Sequence, residues 1–182
     1  MYSIDILLEL LPIKCSGYTI DLLTFTYMDS YVQNLLSDYY NEFLDYKFNQ
    51  DMTEDTIREE LYKLIVGYRL KLKNSSEARI ILTKDNELIG GCTLTEKEND
   101  ITMAYFIIPE YHKNGLATLM LTEIIQSLIM SRIRFDRILV KIQSINKASL
   151  ALAKKLGFKE IYKENGVYTT NIVMAMERNG AH

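Results

Sequence analysis

The stretch from residue 101 to residue 143 constrains this chain more than any other. Ile101-Thr-Met-Ala-Tyr-Phe-Ile-Ile108 is apolar on both faces of a strand and stops at Pro109, the pattern of a central strand buried between two layers. Residues 115–133 then carry Ala117, Leu121, Ile124, Ile125 and Leu128 as one apolar stripe. Thr118, Thr122, Glu123, Gln126 and Ser127 lie opposite, so the segment reads as an amphipathic helix. Arg137-Ile-Leu-Val-Lys-Ile142 returns to strand texture. Two strands joined by a crossover helix run parallel, so 101–108 and 137–143 are expected in one sheet, helices covering both faces.

The remaining segments attach to that unit. Residues 18–26 are rich in β-branched and aromatic side chains and read as a first strand. Residues 29–48 and 53–73 read as helices. The second opens with Glu54 and Asp55, where a helix favours acids, and continues with Leu61, Leu64, Ile65 and Tyr68 at helical spacing. A strand from 79, the turn Asp85-Asn86 and a strand ending at Leu94 lead through a polar turn at 96–100 into the central strand. After the second parallel strand, Asn146 caps a short helix ending at Leu156. Gly157 closes it in the left-handed conformation, and Phe158 packs back on its last turn. Asn165-Gly166 then joins two final strands, 158–164 and 167–177, as a hairpin. The whole is an α/β chain, in finer terms an α+β mixed sheet of six to seven strands with helices on both faces. No Pro, Gly or Ser tract marks a linker, so one domain over 1–182 is expected. Residues 1–16 fit either a short helix or an edge strand.

Composition removes several kinds of chemistry. Apolar residues make up 48 % and charged residues 25 %, ordinary for a folded chain. A net charge of −3 offers no basic face for nucleic acid. Asp5 and Glu9 break the apolar run at the N-terminus, which therefore does not read as a signal peptide, and no apolar stretch approaches membrane-spanning length. Cys15 and Cys92 form no CxxC unit and fit a reducing, cytoplasmic setting. The two histidines, His112 and His182, build no metal-ligand cluster with them, and a Ser-His-Asp arrangement would rest on His112 alone.

Two segments carry positive signals. Pro109-Glu-Tyr-His-Lys-Asn-Gly-Leu-Ala-Thr118 runs from a buried strand through a loop with one glycine into a helix. The first N–H groups of such a helix are unpaired and face the strand end, where they can hold a phosphate. Gly115 admits a ligand to the backbone, Ala117 keeps the first turn slim, and Lys113 adds positive charge. By itself this is equally an ordinary β-to-α turn. The second segment, Asn146-Lys-Ala-Ser-Leu-Ala-Leu-Ala-Lys-Lys-Leu-Gly-Phe158, follows the next parallel strand and has the pattern Asn-x-x-Ser, then Lys-x-Gly-Phe. Asn146 and Ser149 also suit helix capping. Two parallel strands that splay, each followed by a helix N-terminus, make a slot for an extended phosphate-bearing ligand.

The pair resembles motifs A and B of the GNAT acetyltransferases, whose first motif is written Gln/Arg-x-x-Gly-x-Gly/Ala and here reads His112-Lys-Asn-Gly115-Leu-Ala117. The second segment is similar to that of the ribosomal-protein N-terminal (RimJ/RimL-like) branch. The detailed match covers residues 101–158. The resemblance implies a GNAT-like fold and an N-acetyltransferase with acetyl-CoA as cosubstrate and no metal. It would move the acetyl group to a primary amine, a peptide or protein N-terminus or a small molecule, by direct attack in a ternary complex. The backbone of Tyr105, Phe106 and Ile107 would run beside the pantetheine arm. The N–H groups of Lys113, Asn114, Gly115, Leu116, Ala117 and Thr118 would cradle the pyrophosphate, His112 opening that motif. Asn146 and Ser149 would meet the cofactor arm. Lys147 and Lys154 are candidates for the 3′-phosphate, with a solvated lysine as the plainer reading.

For catalysis, the N–H near Ile107 is the expected oxyanion donor. Many family members carry a tyrosine four residues before the motif B glycine as the acid for the thiolate. That position is Ala153 here, and Ser149 is the expected replacement, with Tyr168 as another candidate. A glutamate frequent in the branch is replaced by Thr102. These departures keep open a non-catalytic acyl-CoA binder or sensor, and the generic helix N-terminus keeps open another phosphate-bearing ligand. The resemblance implies that the acceptor enters over the first two helices and the last hairpin. Asp29, Asp38, Glu42, Asp45, Asp51, Glu54, Asp55, Glu59 and Glu60 make that approach acidic and suited to a cationic amine, and the same acids equally read as a solvated face. The aromatic group Tyr39, Tyr40, Phe43, Tyr46 and Phe48 either lines a pocket or packs the helix. Expected partners are acetyl-CoA and an amine, without nucleic acid or membrane, in a monomer or homodimer.

Overall fold

The computed structural model describes residues 3–37, 53–70, 76–131, 134–165 and 169–178. Eight strands form one sheet in the order β1-β2-β3-β4-β5-β6-β8-β7. They are β1 (Ile13–Cys15), β2 (Tyr18–Leu22), β3 (Glu77–Lys84), β4 (Glu87–Lys97), β5 (Asp100–Ile107), β6 (Arg137–Gln143), β7 (Lys159–Asn165) and β8 (Thr170–Glu177). The helices are α1 (Ser3–Leu8), α2 (Phe25–Leu35), α3 (Glu54–Arg69), α4 (Leu116–Met130) and α5 (Lys147–Lys155). As expected, β5 and β6 are parallel, and every other neighbouring pair is antiparallel.

The sheet exceeds the expected six to seven strands because Ser16 and Gly17 both take positive φ. This two-residue turn folds β1 back on β2, pairing Cys15 with Tyr18. Residues 1–16 thus supply both a helix and an edge strand. Glu96, expected in a turn, lies within β4. It is 8 % exposed and its carboxylate accepts from the Ile4 N–H at 3.1 Å, fixing the start of α1. The strand expected over 18–26 ends at Leu22, since α2 begins at Phe25. Thr53 caps α3 by accepting from the Thr56 N–H. Residues 38–48 of the expected first helix, with Tyr39, Tyr40, Phe43, Tyr46 and Phe48, lie outside the described residues, as do Gly166 and Tyr168.

Strand alternation sorts the core into two layers. On one face α1, α4 and α5 pack through Ile4, Leu7, Met120, Ile124, Leu128 and Leu150 onto Ile101, Met103, Ile138 and Val140. On the other, α2 and α3 bring Tyr31, Val32, Leu35, Leu61 and Ile65 onto Ile81, Leu88 and Phe106. The Tyr31 and Phe106 rings meet edge-on at 5.5 Å. Gly90 keeps β4 close to β5, because a Cβ there would lie 2.5 Å from the Phe106 carbonyl oxygen. That neighbour is backbone and cannot swing aside. We expect Gly90→Ala to lower stability by about 1–3 kcal/mol, read as a lower midpoint in urea unfolding; an unchanged midpoint would contradict the close approach.

Candidate functional site

The site begins where the sheet parts. β5 and β6 pair only from Asp100 and Arg137 to Met103 and Val140. Yet β5 stays on β4 through Ile107 and Gly90, and β6 stays on β8 through Gln143 and Asn171. Each strand therefore keeps its outer neighbour and loses its inner one. Arg137 and Asp100 hold the closed end with two hydrogen bonds of 3.1 and 2.6 Å. Beyond Met103 a cleft of about 460 Å³ opens, lined from β5, β6, the loop after β5 and the first turns of α4 and α5. Its size suits a cofactor or substrate arm. Ala104 and Lys141 are exposed here, so the central strand is not buried on both faces as its composition suggested: the cleft uncovers it.

The hydrogen-bond pattern says which backbone groups face the gap. The Ile108 N–H donates to the Ile89 carbonyl at 2.9 Å. Because antiparallel strands alternate, Phe106 and Ala104 direct their peptide groups to β4, while Tyr105 and Ile107 direct theirs into the cleft. The Ile107 carbonyl is already engaged: the His112 ring lies with Nε2 at 2.7 Å, and since a carbonyl only accepts, Nε2 carries the proton. His112 thereby folds the loop back on the strand end.

The loop then turns through Lys113 and Gly115, at φ 63° and 74°. No atom lies within 4 Å of a Cβ built on Gly115, so it is the left-handed backbone, not crowding, that calls for glycine. The first helical bond of α4 runs from the Leu119 N–H to the Gly115 carbonyl at 3.0 Å. The N–H groups of Leu116, Ala117 and Thr118 precede it and have no intrahelical acceptor. At α5, Asn146 accepts from the Ser149 N–H through Oδ1 at 3.0 Å. Its N-cap role is therefore real. Gly157 at φ 96° and a Phe158 N–H to Ala153 carbonyl bond of 3.0 Å close the helix.

Of the residues singled out in the sequence, Tyr105, Phe106, Ile107, His112, Lys113, Gly115, Leu116, Ala117, Thr118, Asn146 and Ser149 all line this one cleft. Asn114 does not; its amide donates to the Tyr111 carbonyl at 3.3 Å. Lys147 is turned to the Ser144 carbonyl at 2.7 Å. Ala153 is buried in the core. Sequence reasoning missed the side chain of Tyr105, whose hydroxyl lies 3.5 Å from the Ser149 carbonyl oxygen; burial pushes its phenol above the ordinary value. It also missed Gln143, at the end of β6. The acids of the helices are partly neutralised: Arg58 pairs with Asp29 at 2.5 Å and Glu54 at 2.7 Å, and Lys63 with Glu59 at 2.7 Å. Among the described residues, no three His, Cys, Asp or Glu side chains gather as metal ligands, and no helix is long and apolar enough to cross a membrane.

Residues 22–159 match a family described as "Acetyltransferase (GNAT) domain". No curated protein matches the chain in sequence. Solved structures do match in fold. The ribosomal-protein-S5-alanine acetyltransferase from Vibrio fischeri has a TM-score of 0.76 at 12 % identity, covering 94 % of this chain and 99 % of its own. The spermidine N-acetyltransferase from Vibrio cholerae, in complex with CoA and spermine, has 0.74 at 17 %, covering 90 % and 97 %. A RimL ribosomal L7/L12 α-N-protein acetyltransferase in complex with coenzyme A has 0.74 at 14 %, covering 90 % and 95 %.

The tie from His112 to the strand end has a measurable consequence. His112→Ala is expected to cost about 1 kcal/mol in unfolding free energy and to speed amide hydrogen exchange across residues 113–118. Unchanged exchange in that segment would show that the loop holds its shape without the imidazole.

Proposed function

This chain belongs to the GNAT acetyltransferase family, and we propose that it transfers the acetyl group of acetyl-CoA directly to a primary amine in a ternary complex. The observation that carries the reading is the cleft between β5 and β6, into which an edge of unpaired peptide groups and two helix N-termini converge. An extended amide chain completes such an edge as an added strand would. In this reading the pantetheine arm takes the slot-facing groups of Tyr105, and its thioester end reaches the Ile107 N–H, the Ile107 carbonyl being engaged by His112. Leu116, Ala117 and Thr118 N–H groups, with those of Lys113 and Gly115, receive the pyrophosphate at the positive end of α4. Asn146 has Oδ1 committed to its cap, which leaves its Nδ2–H groups for the arm.

The chemistry asks for few groups. A neutral amine nitrogen attacks the thioester carbon; the C–N bond forms and the carbonyl electrons move to oxygen. In this reading the Ile107 N–H holds that oxyanion, and one such donor is typically worth about 3 kcal/mol. As the intermediate collapses the C–S bond breaks, the sulfur leaves as a thiolate held by a hydrogen bond from the Ser149 hydroxyl, and the nitrogen gives its proton to water. The acceptor is a peptide or protein N-terminus or a small amine. The named activities of the structural neighbours include both kinds, and Asp55 and Glu60 remain as exposed acids on α3.

Calorimetric titration with acetyl-CoA tests the cofactor site. The wild type is expected to bind, and Gly115→Trp to weaken binding at least about tenfold, because an indole at a left-handed position would strain the loop and block the helix end. No binding by the wild type would overturn the reading. Ser149→Ala is expected to lower kcat roughly 10²-fold with a much smaller change in the dissociation constant for CoA; an unaltered kcat removes Ser149 from the chemistry. Binding without transfer to any amine would instead fit a non-catalytic acyl-CoA binder.

A further inference from the structure

Gln143 is the last residue of β6 and is 4 % exposed. Gln143 is among the residues that line the cleft, and its Oε1, itself buried, has no hydrogen-bond partner among the described residues. Leaving a buried carbonyl oxygen unpaired is costly, so one that borders a cleft marks the place for a donor brought by a ligand. The position of Gln143 says which ligand. Ile138, Val140 and Ile142 belong to the layer under α1, α4 and α5; alternation sends Lys141 and Gln143 to the opposite face. Continuing the parallel register from Met103 and Val140 sets Gln143 level with Phe106, which belongs to the α2–α3 layer. The helix ends suited to phosphate lie on the first face. The in-plane partners of the cofactor arm are the peptide groups of Tyr105 and Ile107. Gln143 stands out of that plane, toward the mouth where Ala104 and Lys141 are exposed, with Asn171 beside it on β8.

We infer that Gln143 is a positioning residue for the acceptor: its Oε1 accepts a hydrogen bond from the primary amine and so turns the nitrogen lone pair toward the thioester carbon. This rests on the transferase reading above. A carbonyl oxygen only accepts, so the group it holds must bring a donor; among amines that means an N–H, which a neutral tertiary amine lacks. An amide also suits the reaction better than a carboxylate would. The nucleophile has to be neutral, and a carboxylate beside it would favour the ammonium form, whereas an uncharged amide oxygen orients the amine without holding its proton.

The test compares wild type, Gln143→Met and Gln143→Glu, with spermidine and a short peptide bearing a free α-amine as probe acceptors. CoA affinity is measured on the same samples. In Gln143→Met the CoA dissociation constant is expected to stay within about twofold, which also reports an intact fold, while kcat/KM for the amine falls about tenfold or more. Gln143→Glu restores an acceptor oxygen and is expected to recover part of that loss. Its rate should rise only at higher pH than in the wild type, because the carboxylate raises the pKa of the bound amine. Two results overturn the inference alone: an unchanged amine-dependent rate in Gln143→Met, or a weaker CoA affinity with an unchanged amine KM, which would assign Gln143 to the cofactor arm. A wild type that binds CoA and acetylates neither probe removes the transferase reading, and this inference with it.

Discussion

Every peptide group inside a sheet needs a partner on each side, and this sheet withholds some at its centre. β5 and β6 run side by side for four residue pairs and then separate, each still bonded to its outer neighbour. Water can satisfy the exposed groups, but a ligand with amide groups of its own does so while burying apolar surface. The other parts of the site follow from that parting. A crossover helix has to begin near the end of β5, and α5 near the end of β6, so both helix N-termini arrive at the same opening. Gly90 holds β4 against β5 and the Arg137–Asp100 pair holds the closed end, so the gap is framed on three sides by rigid structure.

Much of this was legible in the chain. The apolar run at 101–108, the stripe of α4 and the second run at 137–142 give the parallel pair because a crossover connection leaves little choice. Gly157 was readable because it sits where the backbone must turn left-handed past a helix end, whereas Gly115 was read for ligand approach and its left-handed backbone emerged only in the structure. The eighth strand stood only as one of two alternatives for residues 1–16, although its turn was written in Ser16-Gly17. Ile13–Cys15 is too short to show a two-residue period, and only pairing with β2 makes it a strand. Glu96 misled for a related reason: a glutamate among polar residues reads as solvated, and its partner Ile4 lies 92 positions away.

The site divides along the same line. That the backbone near residues 105–118 would border an opening, and that Asn146 would cap a helix, follows from local order and was readable. Side chains whose role depends on facing elements were not. His112 stands at a motif position that suggests ligand contact, yet its ring ties the loop to the Ile107 carbonyl. Tyr105 was read for its peptide groups, while its phenol reaches across to the first turn of α5. Gln143 gives no signal in sequence, being one polar residue at the end of an apolar run. Only the separation of the strands makes its oxygen conspicuous.

The outer borders of the sheet behave in the opposite way from its middle. β1 offers three residues, one of them the exposed Lys14, and β7 presents Lys159, Glu160 and Lys163 along a strand exposed on both faces. Short length and alternating charge are the devices by which border strands discourage further chains from adding themselves. The sheet is thus guarded where growth would be open-ended and receptive where the vacancy has a fixed length.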